Sequence, residues 1–361
     1  MNTEKTNTLT SNSVVLITGG GKGITAKCAI EIAKEARCSL ILLGRSLLLE
    51  IEPEWAVGKR ADKELKTSAL AFFKDKDQKI SPRELDQHIR AITSSREIRN
   101  TLQEIEQAGA QAVYISADVT QKKPLAAALD TAQAKLGKIS GVIHGAGNLA
   151  DKRIENKTAS DFDIVVNTKI KGLENILKNI DTALLDFLVL FSSVAGFYGN
   201  SGQADYAIAN EILNKSAHRL QQTLPECRVL SINWGPWDSG MVSPQLKKFF
   251  QKKNIQLISS AAGVSLLVDA LTGENVPPQI VVGSQLTFPA RSSATRTENT
   301  IIHRVISHSE NPFLDDHRLG PQAVLPATCA AAWVVDSCMA INPVSLALIK
   351  IRDVTTARAT F

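Results

Sequence analysis

Val14-Val15-Leu16-Ile17-Thr18-Gly19-Gly20-Gly21-Lys22-Gly23-Ile24-Thr25 says more about the fold than any other stretch of the chain. Its first five residues make a short apolar run, the composition of a parallel strand covered on both faces. The glycines that follow free the chain for a tight turn. A helical pattern then runs over Gly23–Ala36, with Ile24, Cys28, Ile32 and Ala33 on one face. A second apolar run occupies 39–43. Strand, glycine turn, amphipathic helix and strand make a βαβ unit.

The same alternation continues towards the C-terminus. Apolar runs at 112–116, 141–144, 185–191, 228–233 and 280–282 read as further strands. Amphipathic helices are expected between them, near 122–136, 159–179 and 203–223. Seven short strands alternating with helices predict an α/β fold, a Rossmann-like doubly wound parallel sheet. One segment, about 47–108, breaks the rhythm. It far exceeds a βα connection of about 2–6 residues, and it is charged and helix-periodic. Helices are expected at 62–76 and 82–107, as a surface insertion beside the site that the glycine turn forms. A regulatory or docking role is the alternative.

Composition limits what such a chain does. Of its 361 residues 44% are hydrophobic and 21% charged, with a formal net charge of +5. The basic residues are scattered, which speaks against a nucleic-acid face. The five cysteines, Cys28, Cys38, Cys227, Cys329 and Cys338, form no CxxC pair and read as reduced intracellular thiols. The polar residues 1–12 read as a disordered leader without a signal peptide, and no apolar stretch approaches a membrane span of about 20 residues. A cytoplasmic location is expected.

The turn Thr18, Gly19, Gly21, Lys22, Gly23 and Ile24 has the features of a dinucleotide site. Glycines let the backbone approach a pyrophosphate, and the next helix presents free N–H groups to it. Thr25 stands where a third glycine is often found. The second strand ends in Gly44-Arg45-Ser46, where an NAD site places an acidic residue. Arg45 instead suits a 2′-phosphate through its forked guanidinium, and Ser46 adds a hydroxyl, so NADPH is the expected cofactor. Asp118 and Val119 follow the third strand and are expected at the adenine; Asp118 reads equally as a helix cap. Gly145, Ala146 and Gly147 follow the fourth strand, where small residues let a nicotinamide lie against the backbone. No metal cluster is expected.

A second constellation lies further along the chain. Ser193 ends the fifth strand, Tyr206 comes thirteen residues later, and Asn210 one helical turn after that. Lys169 precedes Ser193 by 24 residues, on the preceding helix. A phenol that donates a proton, an ammonium that lowers its pKa, and a hydroxyl that holds an oxygen are what carbonyl reduction needs. Asn210 is placed to hold a water or the lysine in a proton relay.

These residues resemble the ketoreductase domains of polyketide and polyunsaturated fatty acid synthases, within the short-chain dehydrogenase/reductase superfamily. The resemblance covers about 13–290 and rests on TGGGKGIT (18–25), GRS (44–46), HGAG (144–147), FSSVAG (191–196), GQADYAIAN (202–210) and NWGPWDSGMV (233–242). It implies that Lys169, Ser193, Tyr206 and Asn210 are catalytic. It also implies that Asn233, Trp234, Gly235 and Pro236 line the nicotinamide and substrate side, under a mobile lid over 237–250. The implied substrate is a 3-oxoacyl thioester on the phosphopantetheine of an acyl carrier protein, with other synthase domains as partners. Leu149-Ala150-Asp151 resembles the family's marker of a D-3-hydroxyacyl product, with Ala150 departing from the pattern, and Tyr198 stands where the opposite class has a tryptophan. The rival expectations are a reductase of free small ketones and a non-catalytic remnant of a larger synthase.

A Ser-, Thr- and Arg-rich stretch, 291–308, reads as a linker. Beyond it, 309–361 resembles the opening of a hot-dog-fold dehydratase (α+β), with His317 and Pro326 nine residues apart and Gly320 one position early. An apolar helix-like run is expected at 328–340. The segment supplies no partner aspartate and reads as a dehydratase beginning cut short. About 50 residues rarely bury an adequate core alone.

Overall fold

The computed structural model describes residues 9–238, 247–248, 250, 252, 255–283, 306–307, 309–316, 318–319, 321–326, 329, 332–333 and 336. It divides into two compact units, Met1–Leu286 and Thr287–Phe361.

The first unit is built on seven parallel strands: β1 (Val14–Thr18), β2 (Ser39–Gly44), β3 (Gln111–Ser116), β4 (Gly141–His144), β5 (Phe187–Ser193), β6 (Arg228–Trp234) and β7 (Gln279–Val282). Their spatial order is β3-β2-β1-β4-β5-β6-β7. The order reverses at β1, whose neighbours are β2 and β4, so the crevice beyond these strand ends is the expected ligand site. Alternation along the strands sorts side chains to two cores. Val15 and Ile17 join one core with Leu40, Leu42, Ile143 and Val189. Leu16 joins the other with Ile41, Leu43, Val142 and Leu188. The first core is covered by α1 (Gly23–Ala36), the end of α3 (Pro82–Gln107) and α8 (Ser260–Thr272). The second is covered by α4 (Lys122–Leu136), α5 (Ala159–Lys178) and α7 (Ala204–Thr223). Among the described residues no helix is long and apolar enough to cross a membrane.

One strand is displaced from its expected limits. The apolar run 185–191 was expected to be the fifth strand, yet β5 covers Phe187–Ser193. Leu185 closes the 3-10 turn Thr182–Leu184, while Ser192 and Ser193 pair with Asn233 and Trp234 of β6. Ser193 ends the strand as expected, so only its start differs, by two residues. A one-turn helix, α6 (Val194–Tyr198), follows, with Ser193 as its N-cap.

The insertion folds as α2 (Asp62–Asp75) and α3. Trp55, Leu65, Ala69, Leu85, Ile89 and Ile92 form a small core of its own. A capping box starts α3: Ser81 Oγ accepts from the Glu84 N–H, and Glu84 Oε2 accepts from the Ser81 N–H. Arg96 fixes the preceding loop through two hydrogen bonds to Glu52, each 2.7 Å.

In the second unit, the 3-10 turn Pro312–Asp315 precedes two short antiparallel strands, β8 (Arg318–Leu319) and β9 (Gln322–Ala323). These elements do not by themselves define a hot-dog fold. His317, Gly320, most of the linker 291–308, most of the run 328–340 and the larger part of the lid 237–250 lie outside the described residues.

Candidate active site

The carboxyl ends of the strands open onto one cleft of about 1490 Å³. At one end lies the glycine turn. Gly19 has φ +75°, and a Cβ there would lie 3.0 Å from the Gly145 carbonyl oxygen. A Cβ on Gly145 would meet Thr25 Cγ2 at 2.8 Å. Thr25 therefore fills the space a third glycine would leave, and Gly145 must be small beside it. Gly21, Lys22, Gly23 and Ile24 line the cleft, as do Gly145, Ala146 and Gly147 across it. This bare backbone cradle suits a dinucleotide.

Two cations stand at this end. Lys22 Nζ donates to Ser46 Oγ at 2.9 Å and to Ser94 Oγ at 2.8 Å. Arg45 Nη2 donates to Asn148 Oδ1 at 2.7 Å. The first N–H of α1, on Gly23, donates to Glu97 Oε1 at 2.8 Å. An acidic side chain does reach the cleft, therefore, but from α3 and not from the end of β2. Val119 lines the main cleft. Asp118 instead lines a neighbouring cleft of about 270 Å³. Its Oδ1 accepts from the Thr120 N–H and hydroxyl, a local turn and not the cap of α4, whose N-cap is Gln121.

Lys169, Ser193 and Tyr206 line the other part of the same cleft. Lys169, on α5, is buried; Nζ donates to the Phe191 carbonyl at 2.8 Å and lies 5.7 Å from the centre of the Tyr206 ring. Burial pushes its pKa down to about 8. Burial pushes the Tyr206 phenol up, against the lowering pull of hydrogen bonds with the Ser193 and Asn210 side chains. Ser193 Oγ also accepts from the Ala195 N–H at 3.2 Å, so the start of α6 fixes its direction. Trp234, Gly235 and Pro236 complete this side, with Trp237, Phe250 and Ile255 beyond them.

Thr18, Asn210 and Asn233 were also expected here, but all three are fully buried behind the cleft wall. Thr18 Oγ1 accepts from the Ala146 N–H and contacts His144 Nδ1 at 2.9 Å. His144 Nε2 lies 2.9 Å from the Lys169 carbonyl. Burial, reinforced by the Lys169 charge, pushes the imidazole down to about 4. The ring is neutral at pH 7, so Nδ1 accepts from Thr18 and Nε2–H donates to Lys169. The glycine turn, the end of β4 and the peptide of Lys169 are thus joined by one chain of hydrogen bonds. Asn210 Nδ2 donates to the Tyr206 carbonyl at 2.7 Å, and its buried Oδ1 has no hydrogen-bond partner among the described residues. Asn233 Oδ1 accepts from Ser192 and from Asn214, tying β5 and β6 to α7.

Sequence reading passed over several residues that build the site. A buried ion pair joins Lys157 to Asp205 at 2.7 Å. Asp205 Oδ1 also accepts from the Tyr206 N–H at 2.8 Å, and Lys157 Nζ donates to the Ala150 carbonyl at 2.7 Å. The loop holding Ala150 and Asp151 is thereby fastened to the helix that carries Tyr206. Gln203 Nε2 adds a bond to Asp151 Oδ2 at 2.9 Å. Acid and lysine are 48 positions apart, and no local spacing couples them. Among the described residues no cluster of His, Cys, Asp and Glu suits a metal.

Residues 13–239 match the model of the KR domain family. The chain is 39% identical over 342 residues to one subunit of the polyunsaturated fatty acid synthase of Thraustochytrium sp., covering 93% of this chain and 12% of that protein. It is 30% identical over 280 residues to polyketide synthase PksN of Bacillus subtilis, covering 75% of this chain and 4% of the other. The chain thus spans a small fraction of the length of these curated relatives. Among solved structures, a ketoreductase domain from the bacillaene assembly line is similar at TM-score 0.56 and 27% identity, covering 75% of this chain and 55% of that one. An N-terminal ketoreductase from the macrolactin assembly line is similar at TM-score 0.57 and 26% identity, covering 78% and 46%.

Proposed function

Because the chain belongs to the KR domain family, and so is an oxidoreductase of the ketoreductase type with a nicotinamide cofactor, we propose that it reduces a 3-oxoacyl thioester to the 3-hydroxyacyl thioester with NADPH. The observation that carries this reading is one cleft with Lys169, Ser193 and Tyr206 at one end and a glycine turn flanked by Lys22 and Arg45 at the other. The residues present fit the dinucleotide, since side chains on Gly19 or Gly145 would obstruct the cradle and the two cations suit a 2′-phosphate.

When bound, the reduced nicotinamide supplies the hydride. Tyr206 donates the proton to the substrate oxygen, and Ser193 holds that oxygen in line. Lys169, with its pKa near 8, is charged at neutral pH, favours the phenolate that Tyr206 leaves behind, and stands ready to return a proton. Asn210, which donates to the Tyr206 carbonyl and whose side chain also pulls the phenol's pKa down by hydrogen bonding, serves the proton relay beside Tyr206.

The acyl chain is proposed to arrive on an acyl carrier protein, with other synthase domains as neighbours, in keeping with the multidomain relatives. A D-3-hydroxy product is supported by Asp151, held at the cleft by Gln203. Residues 13–290 are taken as the reductase, 291–308 as a linker and 309–361 as a dehydratase-like opening, in a cytoplasmic protein.

The test is NADPH oxidation with a 3-oxoacyl thioester, by the chain and by Tyr206→Phe. Turnover that collapses at least about 100-fold in the variant, with NADPH binding kept, supports the reading. Binding without turnover in the unmutated chain overturns it in favour of a non-catalytic remnant. Equal rates with free small ketones overturn the thioester assignment.

A further inference from the structure

Helix α3 comes from the segment that interrupts the alternation of strands and helices, and the proposed reaction alone assigns it no part. One of its faces nevertheless lies on the glycine turn. Ser94, Glu97, Ile98 and Thr101 follow the i, i+3, i+4, i+7 spacing of a single helical stripe. Thr101 Oγ1 donates to the Gly21 carbonyl at 3.1 Å. Ile98 Cγ1 would stand 3.2 Å from a Cβ on Gly21. Glu97 accepts from the Gly23 N–H, and Ser94 accepts from the Lys22 ammonium.

The contacts of that ammonium are the informative ones. A lysine ammonium has three N–H donors. Two go to hydroxyls on opposite walls, Ser46 beyond β2 and Ser94 on α3. Among the described residues no carboxylate lies within 4.0 Å of Lys22 or of Arg45. Glu97, the acidic neighbour, is engaged by a backbone N–H. Neutral acceptors fix the ammonium in place without cancelling its charge. A carboxylate partner would have held it as firmly and removed its attraction for an anion. Such a cation, with a third donor and a neighbouring guanidinium, suits a phosphate monoester.

We propose that Ser94 determines cofactor specificity: with Ser46 it presents Lys22 to the 2′-phosphate of NADPH, so the inserted helix forms a wall of the cofactor site. This rests on the reading that the cofactor is NADPH. Ser94 acts through Lys22 and is a positioning residue.

The experiment is direct binding of NADPH and of NADH to the full chain, followed by nicotinamide fluorescence without substrate, for the unmutated protein, Ser94→Ala, Ser94→Asp and Ser94→Thr. Ser94→Ala is expected to weaken NADPH about three- to tenfold, while NADH binding changes less than about twofold. Ser94→Asp places a carboxylate on Lys22 and is expected to weaken NADPH at least about tenfold. Ser94→Thr keeps the hydroxyl and the preference. An unmutated chain that prefers NADPH, with Ser94 variants of unchanged NADPH to NADH ratio, overturns the inference and leaves the cofactor reading intact. Ser94→Ala and Ser94→Asp weakening both nucleotides alike, with urea midpoints unchanged, also overturns it, since that marks a contribution to nucleotide binding in general and not to reading the 2′-phosphate. An unmutated chain without preference for NADPH overturns the cofactor reading itself, and the role of Ser94 with it.

Discussion

Removing one partner of the Lys157–Asp205 pair isolates a buried charge beside Tyr206. The ions are 2.7 Å apart, with side-chain exposures of 6% and 0%. At an effective dielectric of about 20, their attraction is about 6 kcal/mol, opposed by the cost of taking both from water. Among the described residues, Lys157→Met leaves Asp205 with the Tyr206 N–H as its remaining donor, while Oδ2 already has none. The expected loss is about 3–5 kcal/mol. For a unit of this size that lowers Tm by about 6–10 °C. The double variant Lys157→Met/Asp205→Asn removes both charges and is expected to lose only about 1 kcal/mol. Urea unfolding followed by fluorescence reads this directly, because Trp55, Trp234 and Trp237 are buried. A loss below about 1 kcal/mol in Lys157→Met, or a double variant as unstable as the summed singles, would show that the two charges do not depend on each other.

Three other outcomes are expected. Gly145→Ala drives a Cβ to 2.8 Å from Thr25 Cγ2 and 3.0 Å from the Thr18 carbonyl, so it should cost about 1–3 kcal/mol in urea unfolding and weaken NADPH binding. Adding Thr25→Ala should recover part of that loss but not all, because the backbone contact stays. The reduction rate should fall as pH rises through about 8, where buried Lys169 gives up its proton, and Lys169→Met should lose both this limb and most activity. The folded-state value lies below that of a free lysine, so burying the cation costs stability below pH 8, and the cost fades as pH rises towards 10.5. Phe187→Ala removes a fully buried ring that stacks on Gly141 and should cost about 3–5 kcal/mol, measured by thermal and urea unfolding.

Local pattern carried a good part of this molecule. The period-2 and period-3.6 spacing of apolar residues made the strands and helices of the first unit legible, since each element buries one face whatever lies opposite. Only the start of the fifth strand was misplaced, by two residues: Leu185 is apolar but belongs to the preceding 3-10 turn, and the ladder begins where Phe187 pairs with Arg228. The types and spacings of Lys169, Ser193 and Tyr206 were equally readable, and all three line one cleft. Asn233 was readable as part of a motif, but its amide faces Ser192 and Asn214 and not the cleft.

Residue order was enough to establish that a glycine turn opens a seven-strand alternation, and which residue types stand at the strand ends. Folding alone settled which of those ends meet and what surrounds them. Ser94 reaches Lys22 across 72 positions and Glu97 reaches Gly23 across 74. Asn148 reaches Arg45 across 103. Such contacts leave no periodic trace, because periodicity records only how an element covers its own face. They depend on how each crossover returns the chain to the sheet, and on a 26-residue helix long enough to pack on α1 and β3 and still lie on the glycine turn.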